Sequence, residues 1–403
     1  MYELSLTREQ EEIRDTVRDF VTHEVKPVAL KPSRLEQRVR ELPGELVDQA
    51  SRMGLRTLAL SEEAGGAGAD TLTCCLVAEE LGAGHAGAAM TLVHTSLLSR
   101  ALFDRLMTPG QRAQFLPRFL DDDRCHIAHA AMPAATGWNY HRADPAQRAP
   151  GLSASRDANG DWLLDGVSAF VLNAPVAGLF IVEVSTEADG AGVVRLVVAR
   201  DTPGLEVLDA AAPEKGAAPL AWYHGSGGSL VFSRCRVPAA QALAASDEVI
   251  PDRTAPPLQA INLGIGQASY DAALDYAKLR VQGGRRIVEH QAIGTILADM
   301  AIRLEAARNM VWKAAWAADH DEASGGRGLE LQAMSKVFTS EVVHEVTLRA
   351  QECFGAMGVM RDMPLHKYVE DALLFLHAGR SNHIAKFRIA EAQAEYTRQA
   401  GPV

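Results

Sequence analysis

The sequence predicts an α+β, multidomain chain: a helical N-terminal domain over residues 1–125, an antiparallel β-sandwich or small barrel over 126–240, and a helical bundle over 241–403. Three observations predict it. Apolar residues recur at three- and four-residue spacings in the first third and again beyond "PDRTAPPLQ". Short Val/Ile/Leu/Phe runs bounded by Gly, Pro, Asn and Asp fill the middle. No ten-residue helical pattern separates those runs, which favours antiparallel pairing over a parallel sheet.

The first helix is signalled by "LTREQEEIRDTVRDFVTHEV", where Thr7 and Gln10 form a capping-box pattern and Ile13, Val17, Phe20 and Val21 supply one apolar face. "ELPGELVDQASRMGLRTLAL", "DTLTCCLVAEELGAG" and "AMTLVHTSLLSRALFDRL" continue in the same style, each stopped by Gly or Pro. The glycine cluster "GGAGAD" (65–70) follows no strand, so it reads as a turn rather than a phosphate cradle. After "DDDRC" the strand candidates are "DWLLDGVSAFVL", "GLFIVEVS", "GVVRLVVAR", "GLEVLD" and "GSLVFSRCRVP". A long polar and proline-containing loop, "MPAATGWNYHRADPAQRAPG" (132–151), stands at the entry to this unit, and loops of that kind commonly carry function. In the last third, Ile293, Leu297, Met300, Leu304, Ala307 and Val311 make a long stripe suited to a bundle, broken at "ASGGRG" before helical patterning resumes.

A chain of 403 residues is long enough for two or three packed units. Its net charge of −11 leaves no basic excess for nucleic acid, and no apolar run is long enough to span a bilayer. The polar, acidic N-terminus is no secretory signal, so a cytoplasmic location is expected. The five cysteines lack a CxxC pair and read as reduced, mostly buried thiols. Thirteen histidines without HExxH set metal chemistry aside.

Several short segments, in one order, carry a resemblance over essentially the whole chain. They are "LTREQEEIRDTVRDFV", "LSEEAGGAGADTL", "AEELG", "SLVFSRCRVP", "YAKLRVQGGRRIVEHQAIGTILADMAIRLEAAR" and "AQECFGAMGVMRDMPLHKYVEDA". Together they resemble the acyl-CoA dehydrogenase family of flavoproteins. The resemblance implies a helical N-domain, a β-sandwich-like middle and a C-terminal four-helix bundle, assembled as a homodimer or homotetramer with FAD between the β-domain and the helices of two subunits. It implies that Arg280 meets the flavin pyrophosphate, with Gln291 following it. A guanidinium suits that task because it makes planar, charge-assisted bonds to phosphate oxygens. The glycine-containing turn at Gly355, preceded by Glu352 where the family has Gln, belongs to the same cofactor region. His94 in "LVHTSLL" matches a His-x-x-Leu element near the substrate and reads as lining.

The departures bear on chemistry. The flavin loop is replaced by "AMPAATGWN" (131–139), and the strand that contacts the flavin reads "FVLN". Phe170 can pack on a ring, but Leu172 has no hydroxyl to offer flavin N5. Gly283 replaces an aromatic, and Glu352 would repel a diphosphate unless protonated or bridged. In "EDALLFLHAGRSNHIAKFRIAE" the usual catalytic Glu aligns with Gly379, or with Ala378 under another anchoring. The alternative base position of the family is Thr254, whose hydroxyl is no base for an α-carbon proton. Asp252, His377, His383 and Arg380 remain as substitutes, the imidazoles because a neutral ring is matched to proton transfer near neutrality. The expected function is therefore an FAD-dependent oxidoreductase acting on acyl-CoA or a related small substrate. The alternatives are a flavin-dependent monooxygenase on the same fold, and a non-catalytic subunit of a hetero-oligomer with a related chain. A scaffold that binds flavin without turnover is the third.

Overall fold

The structure is a computed structural model and describes residues 5–35, 42–131, 151–186, 193–209, 225–244, 250–251, 255–320, 322–377 and 381–396. The N-terminal helices are α1 (Arg8–Phe20), which runs through a π-helical turn into the short α2 (Lys26–Ala29) and α3 (Pro32–Leu35), then α4 (Gly44–Arg52), α5 (Thr71–Gly84), α6 (Ala86–Ser99) and α7 (Pro109–Asp121). Local chemistry sets their starts. Thr7 and Gln10 close the expected capping box on α1, Asp70 accepts from Thr73 N–H at α5, and Thr108 with Gln111 repeats the box at α7 behind Pro109. Residues 65–70 form a turn between helices, as their sequence predicts.

The middle of the chain is one sheet: β1 (His126–Ala130), β2 (Ser153–Arg156), β3 (Trp162–Leu172), β4 (Ala177–Ser185), β5 (Val193–Ala199), β6 (Leu205–Asp209) and β7 (Gly227–Val237). Its order is β1-β4-β2-β3-β7-β6, with β5 on β4. The expected antiparallel pairing holds for β2·β3, β3·β7, β4·β5 and β6·β7, but β1 runs parallel to β4 from His126↔Ala177 to Ala130↔Val182, and the described strands close no barrel. The sheet is therefore mixed. The departure has a topological cause: β1 leaves the helical unit and pairs with a strand three positions further along, which a hairpin cannot achieve. Ala128, Trp162, Leu164, Phe180, Val182, Leu230 and Phe232 form one apolar layer. On the other side, Ile127, Leu179, Ile181 and Val197 pack with Phe103, Phe115 and Phe119 of the N-terminal helices.

The C-terminal helices are α8 (Pro256–Leu279), α9 (Gln291–Asp319), α10 (Gly328–Cys353), α11 (Leu365–His377) and α12 (Asn382–Gln393), with the hairpin β8 (Val281–Gln282) and β9 (Arg285–Arg286) between α8 and α9. In the predicted α9 stripe, Leu297, Met300, Leu304, Ala307 and Val311 are buried and Ile293 partly so. α5 and α8 touch through backbone: a Cβ on Gly82 would lie 2.3 Å from Ile261 O, and one on Gly264 would lie 2.0 Å from Glu79 O. Only glycine permits that approach. Beside it, Arg308 of α9 donates to Glu79 Oε1 of α5 at 2.8 Å and to Gln267 Oε1 of α8 at 2.9 Å. Burial pushes the Glu79 carboxyl up, and Arg308 draws it only part of the way back. All five cysteines are buried and free, as expected. No helix among the described residues is long and apolar enough to cross a membrane.

Removing the cation while leaving the buried carboxylate is costly. Arg308→Met should therefore lower unfolding free energy by about 3 kcal/mol, against under ~1 kcal/mol for the exposed Arg303→Met; equal denaturation curves for the two variants would contradict this. A second expectation concerns His126, whose ring meets Thr95 Oγ1 at 3.2 Å where β1 leaves the helices. Burial above all, with Arg56 adding, pushes this imidazole down from 6.5 to about 3. The unfolded ring takes its proton near its ordinary value and the folded one does not, so stability present above that value is lost as pH falls from 6.5 toward 3. The denaturant midpoint should drop between neutral and acidic pH, and less steeply in His126→Asn; parallel slopes would refute the assignment.

Candidate active site

Three loci carry the residues singled out by sequence. The first is a pocket of ≈ 310 Å³ where α8 and α10 end, lined among others by Arg280, Gly283, His290, Glu352, Phe354 and Gly355. Arg280 closes α8: its N–H bonds Tyr276 O at 2.8 Å and its carbonyl accepts from Ile287 N at 2.9 Å. Between them the β8–β9 hairpin turns at Gly283 and Gly284, whose φ values of 64° and 81° match a tight two-residue turn. His290, the residue before α9, donates from Nε2 to Gln282 O at 2.9 Å, and a Cβ on Gly283 would lie 3.3 Å from its ring. The aromatic missing at 283 thus gives way to a close turn under His290. Gly355 ends α10 with φ 56°, the left-handed step after a helix that glycine takes most readily. Tyr276 and Phe354 stack at 4.2 Å and join the two helix ends.

Charge at this pocket favours an anion. Arg280, Arg285 and Arg286 are exposed and have no carboxylate partner among the described residues. Glu352, which would repel a diphosphate, is ion-paired with Arg349 at 2.8 Å. Burial first, then Glu352, pushes the neighbouring Cys353 thiol up. Gln291 opens α9 next to His290 and is exposed; it is not among the residues lining the pocket. Arg280, Glu352 and Gly355 are thus brought together, with Gln291 one residue outside.

The second locus is the end of β3. The β3·β7 register shifts between Ser168 and Val171, and Phe170 sits in that bulge with φ 36°, its ring lying where a Cβ on Gly227 would be 2.6 Å away. Phe170 is half-exposed, whereas Leu172 is buried in the helical core. Asn173 follows and donates from Nδ2 to Thr91 O of α6 at 3.3 Å. One turn on along α6, His94 is buried.

The third locus is the connection from α11 to α12. Positions 378–380, with Gly379 and Arg380, lie outside the described residues, as do Asp252 and Thr254 and the loop at 132–150. Their flanks are described. His377 ends α11 and is exposed, as is His383 on α12; burial first, then His377, pushes His344 of α10 down. Asp371 is committed to an ion pair with Lys367 inside α11, at 2.5 Å. Lys336, buried in α10, donates to Leu376 O at 3.5 Å and to Asn382 Oδ1 at 2.5 Å, and Ser340 bonds the same amide. It therefore ties both ends of the connection to the bundle. Sequence reasoning missed Lys336, Asn382 and His290. The available signal was a lysine between apolar residues in "AMSKVF".

Profiles described as "Acyl-CoA dehydrogenase, N-terminal domain" and "Acyl-CoA dehydrogenase, C-terminal domain" match residues 7–123 and 253–395. An acyl-CoA dehydrogenase of Bacillus subtilis is 29% identical over 398 residues, covering 96% of this chain and 98% of its own. The mitochondrial short-chain specific acyl-CoA dehydrogenase of Bos taurus is 29% identical over 370 residues, covering 89% of this chain and 84% of its own. Among solved structures, butyryl-CoA dehydrogenase from Megasphaera elsdenii superposes with a TM-score of 0.83 at 25% identity, over 98% of this chain and all of its own.

Arg280→Ala should remove the cation that the first locus offers to an anion. We expect FAD per chain after purification to fall at least severalfold while the melting curve of the cofactor-stripped protein stays in place; unchanged occupancy would remove Arg280 from the site.

Proposed function

The chain belongs to the acyl-CoA dehydrogenase family, and from that premise we propose an FAD-dependent oxidoreductase that acts on a CoA thioester or related small substrate through a non-standard active site. The pocket at Arg280 carries the reading. The Arg280 backbone is fixed by the α8 end and the glycine turn, and Arg349 offsets the lining carboxylate that would oppose a diphosphate. Arg280 would hold the pyrophosphate, with the backbone at Gly355 and the His290 side chain lining the approach. Phe170, at the β3 bulge, would pack on the ring system. Bound there, FAD supplies a hydride acceptor at N5.

Leu279, Val281, Val359 and Met360 are exposed apolar side chains on the elements around the pocket. Apolar surface of this kind suits coverage by a second copy, so a homodimer or homotetramer is proposed.

Dehydrogenation also needs removal of the α-proton. Position 379 is glycine, and Asp371 is neutralised by Lys367. No carboxylate therefore stands at the usual place, and α-proton transfer falls to a weaker group, with His377 the described candidate. A second reading, a non-catalytic subunit beside a related chain, is favoured by the joint loss of the Glu at 379 and the hydroxyl at Leu172. A monooxygenase on the same fold would need neither.

The test is to count FAD per polypeptide and to assay acyl-CoA oxidation in parent and Gly379→Glu. One FAD per chain, with activity raised at least tenfold by the new carboxylate, is the expected result. Full FAD without gain of activity would favour the monooxygenase, and a chain that refuses FAD would sink the enzyme reading.

A further inference from the structure

The seam between α8 and α10 holds buried polar atoms that no described side chain satisfies. The two helices run parallel in a fixed register. Gly266 faces Val343, where a Cβ would come within 3.2 Å of a methyl, and Tyr276 stacks on Phe354 at the far end. One turn before these contacts stand Asn262 on α8 and Thr339 on α10, with Ser335 one turn further back. All three are buried, Asn262 and Thr339 completely. Both amide atoms of Asn262, Thr339 Oγ1 and Ser335 Oγ have no hydrogen-bond partner among the described residues. A helix interior filled for packing alone would carry Ala, Leu or Val there, because unsatisfied buried amides and hydroxyls are costly.

The same two helices lead to the segments that carry the candidate base positions of the sequence. α8 begins at Pro256, just after position 254. Lys336, adjacent to Ser335 in sequence, holds Leu376 and Asn382, the described residues on either side of positions 378–380. The orphaned groups therefore lie on the two helices whose described residues, Pro256, Lys336 and Ser340, flank or hold the segments that carry the candidate base positions. A substrate whose α-carbon is presented there extends its acyl group toward groups that both donate and accept.

We propose that the acyl group taken by this chain carries a hydroxyl or carbonyl seated in the α8–α10 seam against Asn262, Thr339 and Ser335. An unfunctionalised alkyl chain of equal length is the poorer ligand, since it would leave four polar atoms unpaired. This inference rests on the acyl-thioester reading above.

Calorimetry on the FAD-loaded chain, titrated with butyryl-CoA, 4-hydroxybutyryl-CoA, hexanoyl-CoA and 6-hydroxyhexanoyl-CoA, tests it. At least one hydroxylated ligand should bind about tenfold tighter than its alkyl partner. Asn262→Leu and Thr339→Val should erase that preference, while Thr339→Ser keeps it. Alkyl chains bound as tightly as hydroxylated ones in the parent would overturn the inference and leave the acyl-CoA reading standing. So would a preference that survives both apolar variants, with Asn262→Leu merely raising the melting temperature. If no thioester binds, the acyl-CoA reading falls and takes this inference with it. The parent comparison decides even if a variant fails to fold.

Discussion

The backbone contact between α5 and α8 is the constraint on which the rest of the molecule depends. Gly82 and Gly264 let two helices meet without side chains between them, and the Glu79–Arg308–Gln267 network locks a third helix onto the pair. Dispersion contacts at such short range are dense, and a single methyl on either glycine would prise the helices apart. Because α6 follows α5 at once and β1 hangs from α6 through Thr95 and His126, the placement of the sheet follows from that contact. The pocket at the far end of α8 inherits its position from the same rod.

The site is assembled from helix ends. Arg280, Gly355 and His290 are each the residue at which a helix stops or starts, and their geometry comes from termination chemistry: a glycine turn, a left-handed step, a ring closing on a carbonyl. Charge is handled locally as well. Glu352 brings its own counter-ion from one turn earlier on α10, so the pocket keeps the cationic character that Arg280 gives it.

Much of this was legible in the sequence because it rests on local rules. Thr7 with Gln10 and the stripe from Leu297 to Val311 report the start and the period of the helices they build, and the apolar run in "DWLLDGVSAFVL" reports a strand. Arg280, Glu352 and Gly355 could be grouped only through resemblance, since 72 residues separate the first two and no periodicity links them. The parallel run of β1 beside β4 was hidden for the same reason, as strand neighbours across a long connection leave no mark in spacing. Lys336 and Asn382 were missed because a buried lysine violates the composition rule for cores, and only its partner explains it. Gln291 matched by alignment yet sits just outside the pocket, because the turn at Gly283 and Gly284 brings His290 forward instead.

The α5–α8 contact also orders events in time. During synthesis α5 is complete by residue 84, but the surface it must cover does not exist until residue 264 has been made. β1 likewise waits for β4. The first third of the nascent chain therefore presents an apolar face with no partner while the whole sheet is being made, and its native contacts are among the most distant in the sequence. The fold cannot be completed by halves, and an N-terminal fragment is a poor surrogate for the protein.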